Sequence, residues 1–275
     1  VVETIVQNTV MHTWHWQTWE NLPYLTCSLL QDWEHGFFTS AFSPRLPGEM
    51  VNALQREARV YRVRQVHGNT VLTPSEIESA MTENDKESEE LEKPPADGIL
   101  TEQPQQAVWV CTADCTPVLI ADEKTGQVAA VHAGWRGTAT RIVPNAIARL
   151  IDSGSRLCDL RIAMGPAIAG EVYQVSESVA AEVGASIVSP DTAENPQVII
   201  DKLQQLPNSP ILDDTHPERV RLDVRRVNEI QLEQLGIQPE KIAIAPYCTY
   251  QVPEHFFSYR RNKLKKVQWS GIVSR

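Results

Sequence analysis

Two histidines and one cysteine carry the clearest chemical signal in this 275-residue chain. His67 precedes Gly68, Cys115 precedes Thr116-Pro117, and His132 precedes Ala133-Gly134, so each ends or interrupts an apolar stretch beside a turn signal. Two imidazoles and a thiolate are good ligands for zinc or copper. Three protein ligands leave a fourth position open, as catalytic sites do and structural sites usually do not. The same trio admits a second chemistry, with Cys115 as a nucleophile activated by His132. The spacing is 48 residues from His67 to Cys115 and 17 more to His132, which is no compact metal signature. Spacing alone therefore leaves a plainer alternative open, two hydrogen-bonded strand-end histidines and a small buried cysteine.

The neighbours extend the list of candidates. Asp114, directly before Cys115, could orient a ligand, act as a general base, or cap the turn. Arg136 lies between Gly134 and Gly137, and Arg260 and Arg261 follow Phe256-Phe257-Ser258-Tyr259. All three arginines are candidates for gripping phosphate or carboxylate bidentately, with surface pairing to acids as the alternative. His12 and His15 sit in an aromatic-rich stretch that suits packing. His35, His216 and His255 lie near loops and are expected to face solvent, and Cys248 is expected in the core.

These side chains must be placed by the elements around them. Ala107–Cys111 is a continuous apolar run, expected as a strand buried on both faces. Val118–Asp122 and Gln127–His132, joined by Glu123-Lys124-Thr125-Gly126, read as a hairpin. A helix is expected over Ile142–Ile151, with Pro144 early in it and Gly154 as its stop. Further expectations are strands at Thr13–Gln17, Gly36–Thr39, Val60–His67, Leu160–Met164, Val198–Ile200, Ile242–Ala245 and Phe256–Tyr259. Helices are expected over Glu49–Ala58, Ser176–Val183 and from an Asp223 cap to Leu235, the last stopped by Gly236. Strands and helices mix without regular alternation, which favours α+β over a doubly wound parallel sheet.

Bulk properties narrow the function classes. The net charge is −10, but residues 76–93 hold eight acidic side chains against two lysines, which accounts for −6 of it. That segment ends in Lys93-Pro94-Pro95 and reads as a flexible acidic insert over 76–95. The remainder is nearly balanced and has no basic stripe, which argues against nucleic acid as a partner. No apolar run approaches the roughly 18–20 residues needed to cross a bilayer, and no secretory signal is visible. Five cysteines without a CxxC pair fit a reducing cytoplasm.

Several segments together resemble the YfiH-like family, also called the laccase-domain or multicopper polyphenol oxidoreductase family. They are Gln65-Val66-His67-Gly68, Ala96-Asp97-Gly98, Thr112 to Pro117, Val131 to Thr138, Gly165-Pro166 with Tyr173, and Phe256 to Arg261. The resemblance runs from about residue 35 to the C-terminus and implies one domain over 1–275. It implies an α+β fold in which mixed β-sheets pack as a central sandwich flanked by helices. It also implies that His67, Cys115 and His132 hold one metal ion, zinc or alternatively copper. The implied activity is phosphorolysis of purine nucleosides (adenosine, inosine, methylthioadenosine), with adenosine deamination as a side reaction. Nucleoside and phosphate would then be the partners, with no nucleic acid or membrane. The older name implies copper-dependent phenol oxidation, which needs several copper sites that seven scattered histidines without an HxH pair do not readily supply. Two departures stand out. Ser40 follows Thr39 where members often carry Arg, and Lys266-Val267 stands where Thr-Gly-Arg is usual.

Overall fold

The computed structural model describes residues 12–81, 93–188 and 195–275. Two six-stranded sheets dominate it. The first runs β1 (Trp14–Trp19), β2 (Leu22–Cys27), β3 (His35–Phe38), β15 (Gln268–Val273), β7 (Gln106–Thr112) and β4 (Arg59–Tyr61). The second runs β14 (Ile242–Ile244), β10 (Leu160–Met164), β8 (Thr116–Asp122), β9 (Val128–Ala133), β6 (Gly98–Leu100) and β5 (Val71–Leu72). A smaller sheet, β11 (Gln174–Ser176), β13 (Arg219–Leu222) and β12 (Ile211–Asp213), completes a mixed α+β fold.

Strand alternation explains why the large sheets stack. Successive side chains point to opposite faces, so Val108 and Val110 of β7 meet Leu119, Ala121, Val128 and Ala130 of the second sheet in one core. The other face of β8 and β9 (Val118, Ile120, Ala129, Val131) packs under Ile142, Val143, Ala146, Ile147 and Leu150 of the helix Ile142–Asp152. A third core joins the small sheet to the helices Glu177–Gly184, Pro196–Gln204 and Val224–Leu235. No helix among the described residues is long and apolar enough to cross a membrane.

Several expectations need correction. The strand expected over Val60–His67 is confined to Arg59–Tyr61, and the helix expected over Glu49–Ala58 is reduced to Pro47–Met50 and a single 3-10 turn, Val51–Ala53. Val198–Ile200 belongs to the helix Pro196–Gln204, whose start is fixed by Asn195 capping Gln197 N and by Pro196 in the first turn. Phe256–Tyr259 is no strand, since Ser258 caps a short helix over Tyr259–Asn262. The acidic segment begins as a helix, Pro74–Ala80, with a reciprocal Thr73–Glu76 capping box; its residues 82–92 lie outside the described residues. His35 is buried, not solvent-facing. Its Nδ1 lies 2.8 Å from the Trp33 carbonyl and its Nε2 accepts from Cys27 N at 2.9 Å.

Burial drives the His35 pKa down to about 4, against a smaller upward pull from the Trp33 carbonyl. As pH falls from 6.5, the unfolded chain takes up a proton that the native imidazole refuses. Stability should therefore drop by up to about 3 kcal/mol between pH 6.5 and 4 and level off below. Urea unfolding at pH 7, 5.5 and 4 measures this contribution. The variant His35→Gln, whose amide can donate and accept in the same places, should lose that part of the pH slope.

Candidate metal centre

Strand register brings the three candidate ligands together. In the β8–β9 hairpin Thr116 pairs with Ala133 and Pro117 with His132, so Cys115 at the mouth of β8 lies beside His132 and Gly134. Antiparallel pairing of β6 with β9 sets Gly98 opposite Val131, which places Asp97 beside His132. Parallel pairing of β5 with β6 sets Val71 opposite Gly98 and brings the preceding turn, with His67, to the same edge. The donor atoms of His67, Cys115 and His132 all lie within 4.8 Å of one another. His67 is exposed, Cys115 half-buried and His132 buried. The donor set and its closeness fit a single divalent cation bound with one side open.

Two left-handed residues shape the site. His67 has φ 61° and Asp114 φ 105°, a region costly for non-glycine residues and held only by surrounding contacts. At His67 the holding group is Asp97, whose carboxylate accepts from Val66 N, His67 N and Gly68 N at 3.2, 2.9 and 2.7 Å. At Asp114 the carboxylate is gripped by the Thr249 hydroxyl and by Arg260 N, each at 2.7 Å. The two Asp114 oxygens thus tie Thr249 and the Arg260 segment to the strand end that presents Cys115. The Gln65 side-chain amide donates to Cys111 O and accepts from Cys111 N at 2.8 and 2.7 Å, acting as a strand partner beside the His67 turn.

Electrostatics favours a thiolate. Burial raises the Cys115 thiol, but the charge and hydrogen bond of His132, and then those of His67, more than offset it and hold the thiol below its usual range. Burial lowers His132, while the Cys115 thiolate and the Asp97 carboxylate more than restore it. Cys111, four residues upstream, is pushed up to about 12 by burial and stays a thiol.

The arginines separate by surroundings. Arg136 is exposed and stacks on Trp135 with its guanidinium carbon 4.3 Å from the ring centre. Arg260 donates to Gln174 O and lies 4.7 Å from the Tyr173 ring centre. Arg261 is occupied differently, donating to the Thr249, Tyr250 and Phe256 carbonyls at 2.6, 2.7 and 2.7 Å, which braces the loop. Tyr173, which the sequence offers only as part of a motif, lines a cavity of about 30 Å³ with Asp114, Cys115, Gly134 and Trp135. Burial, then the charges of Cys115 and Asp114, push its phenol up to about 12 against the pull of Arg260 and Arg136. Asp97 and Tyr173 are the site residues that spacing did not single out. Lys266 and Val267, the second sequence departure, lie elsewhere, in a cleft of about 220 Å³ that Thr39, the residue before Ser40, also lines with Arg45 and Lys265.

Comparison with known proteins agrees with this architecture. A purine nucleoside phosphorylase of Synechocystis sp. is 51% identical over 95% of this chain and 97% of its own length. A Mycobacterium tuberculosis protein of the same name is 30% identical over 74% of this chain and 68% of its own. Among solved structures, YlmD from Geobacillus stearothermophilus superposes with a TM-score of 0.75 at 22% identity, covering 94% of this chain and 98% of that one. The Bacillus licheniformis hypothetical protein YfiH gives 0.70 at 23%, covering 92% and 96%. The multi-copper polyphenol oxidoreductase laccase family profile matches residues 48–273. Its match takes in the whole second sheet, strands β4, β7 and β15 of the first, and every candidate ligand, and the chain belongs to that family.

Proposed function

We propose that this chain is a metal-dependent purine nucleoside phosphorylase that splits adenosine, inosine and methylthioadenosine with phosphate and deaminates adenosine as a side reaction. The observation that carries the reading is the 51% identity, over nearly the full length of both chains, to a protein named for that activity. His67, Cys115 and His132 would hold the ion, zinc or alternatively copper. When bound, such an ion supplies Lewis acidity for polarising an oxygen or activating water.

The rest falls to the chain's own side chains. In phosphorolysis a phosphate oxygen forms a bond to C1′, the C1′–N9 bond breaks, and its electron pair leaves with the purine, which takes up a proton. Arg136 and Arg260 flank Tyr173 and would hold the phosphate through paired N–H donors. Tyr173 stays protonated at neutral pH and would donate to the departing purine. Asp114 would fix Arg260 in place. The cavity beside Cys115 has room for about one water, so the nucleoside would lie over the open side near His67 and Arg136. In deamination a water oxygen adds at C6 and ammonia leaves. All five cysteines are free, which suits a reducing cytoplasm.

The multicopper oxidase implied by the family description is disfavoured. The described residues include all seven histidines and all five cysteines, yet hold one candidate cluster of three ligands. A second reading, a cysteine hydrolase, is favoured by one observation: the Cys115–His132–Asp97 order matches a nucleophile, base and orienting carboxylate.

The test is to incubate purified protein with each nucleoside, with and without phosphate, and to separate the products. Free base should form only with phosphate, and Arg136→Ala or Arg260→Ala should raise the KM for phosphate about tenfold, equivalent to about 1.4 kcal/mol. Base release without phosphate would sink the phosphorylase reading. Turnover that rises on chelation would favour the hydrolase.

A further inference from the structure

Asp97 is fully buried, and both oxygens of its side chain are bonded to the His67 turn or to His132. One carboxylate oxygen lies 2.8 Å from His132 Nδ1 and 2.9 Å from His67 N. The other accepts from Gly68 N and Val66 N. Its backbone carbonyl accepts from His132 N at 2.7 Å, so Asp97 holds His132 by backbone and side chain together. His67 and His132 are otherwise 65 residues apart.

We propose that Asp97 is the positioning residue that presets this centre, aligning both imidazoles with Cys115 through one buried charge. The inference rests on reading the site as a metal centre. Its chemistry has two parts. With Nδ1 turned to Asp97, the ring of His132 must donate there and present Nε2 toward Cys115, which fixes both the tautomer and the coordinating nitrogen. A carboxylate partner also raises the basicity of that nitrogen, as carboxylate–histidine–metal arrays do. The second part is the turn. Three successive N–H groups converge on an anion, and this holds His67 in its left-handed conformation, where a glycine would otherwise be preferred. Only a carboxylate can accept all four hydrogen bonds. An amide of the same shape has one accepting oxygen, and its NH2 would face N–H donors.

The test compares the wild-type chain with Asp97→Asn by zinc competition against a chromophoric chelator, with thermal unfolding of the metal-free proteins alongside. Zinc affinity should fall 10–100-fold in the variant. In zinc-loaded wild-type protein, 15N NMR of the histidine rings should place the metal on Nε2 of His132 and a proton on Nδ1. A folded D97N protein binding zinc within twofold of wild type overturns the inference. If D97N does not fold, the ring spectrum of the wild type decides, and coordination through Nδ1 of His132 overturns it. Wild-type protein that takes up no zinc overturns the metal reading and this inference with it. Tight wild-type binding with an unaltered variant overturns only the role of Asp97.

Discussion

Cys115→Ser should remove the metal and lower nucleoside phosphorolysis on the order of a thousandfold, about 4 kcal/mol in transition-state terms, while leaving the fold intact. The sulfur is the only soft donor among the three candidate ligands, and its surroundings favour the thiolate that binds zinc or copper. Serine is nearly isosteric and can keep a hydrogen bond to His132, yet its hydroxyl does not ionise near neutral pH and competes poorly for these metals. Cys115 belongs to none of the apolar core clusters. It is half-buried at the mouth of β8, where the strand is held by its pairing with β9 and β10. Metal-free stability should therefore change by less than about 1 kcal/mol, as for substitutions away from the core. Elemental analysis, kcat/KM and urea unfolding on the same preparations read the three quantities. A C115S protein that keeps both its zinc and its activity would remove Cys115 from the site. One that keeps activity without zinc would remove the metal from the reaction.

The legibility of this site follows from the range of the interactions that build it. The β8–β9 hairpin and the helices Ile142–Asp152 and Val224–Leu235 were readable because their signals are local: a turn sequence, a 3.6-residue apolar face, an Asp223 cap and Gly236 in the left-handed conformation. His132 and Cys115 were visible for the same reason, as polar residues at the ends of apolar runs. β15 was not anticipated. Gln268–Val273 becomes a strand by inserting between β3 and β7, partners more than 150 residues away that no local pattern announces. Val198–Ile200 shows the reverse case. Its β-branched residues suggest a strand, but a cap and a proline start a helix there, and Ile199, Ile200 and Leu203 find their burial on its inner face. Asp97 was hidden because its role depends on the β6–β9 register, and Arg261 resembled Arg260 because only tertiary structure sets three carbonyls around one and not the other.

Gly134→Ala should damage the centre selectively, and the reason is geometric. Gly134 has φ −72°, which any residue adopts, so the added methyl brings no backbone strain. It precedes a helix of five residues, and exchanging glycine for alanine at such a cap costs about 1 kcal/mol or less. A Cβ there would stand 2.9 Å from Cys115 Sγ, so that ligand must give way, and 3.4 Å from His67 Cδ2, leaving the methyl no free side to relax toward His67. Displacing a donor by several tenths of an ångström takes it out of the range within which a functional constellation works. Misplacement approaching 1 Å costs on the order of a hundredfold in rate. The expected result is a folded protein with zinc affinity at least about tenfold weaker and kcat/KM down about a hundredfold. Gly165 supplies the contrast: a Cβ there would stand 2.1 Å from the ring of Phe37, which is buried in the main core. Gly165→Ala should lose about 1–3 kcal/mol of stability by overpacking. Zinc titration and thermal unfolding of both variants separate the two causes. If G134A loses stability as G165A does while binding zinc normally, the glycine serves packing, and the close approach of Gly134 to Cys115 has no part in metal binding.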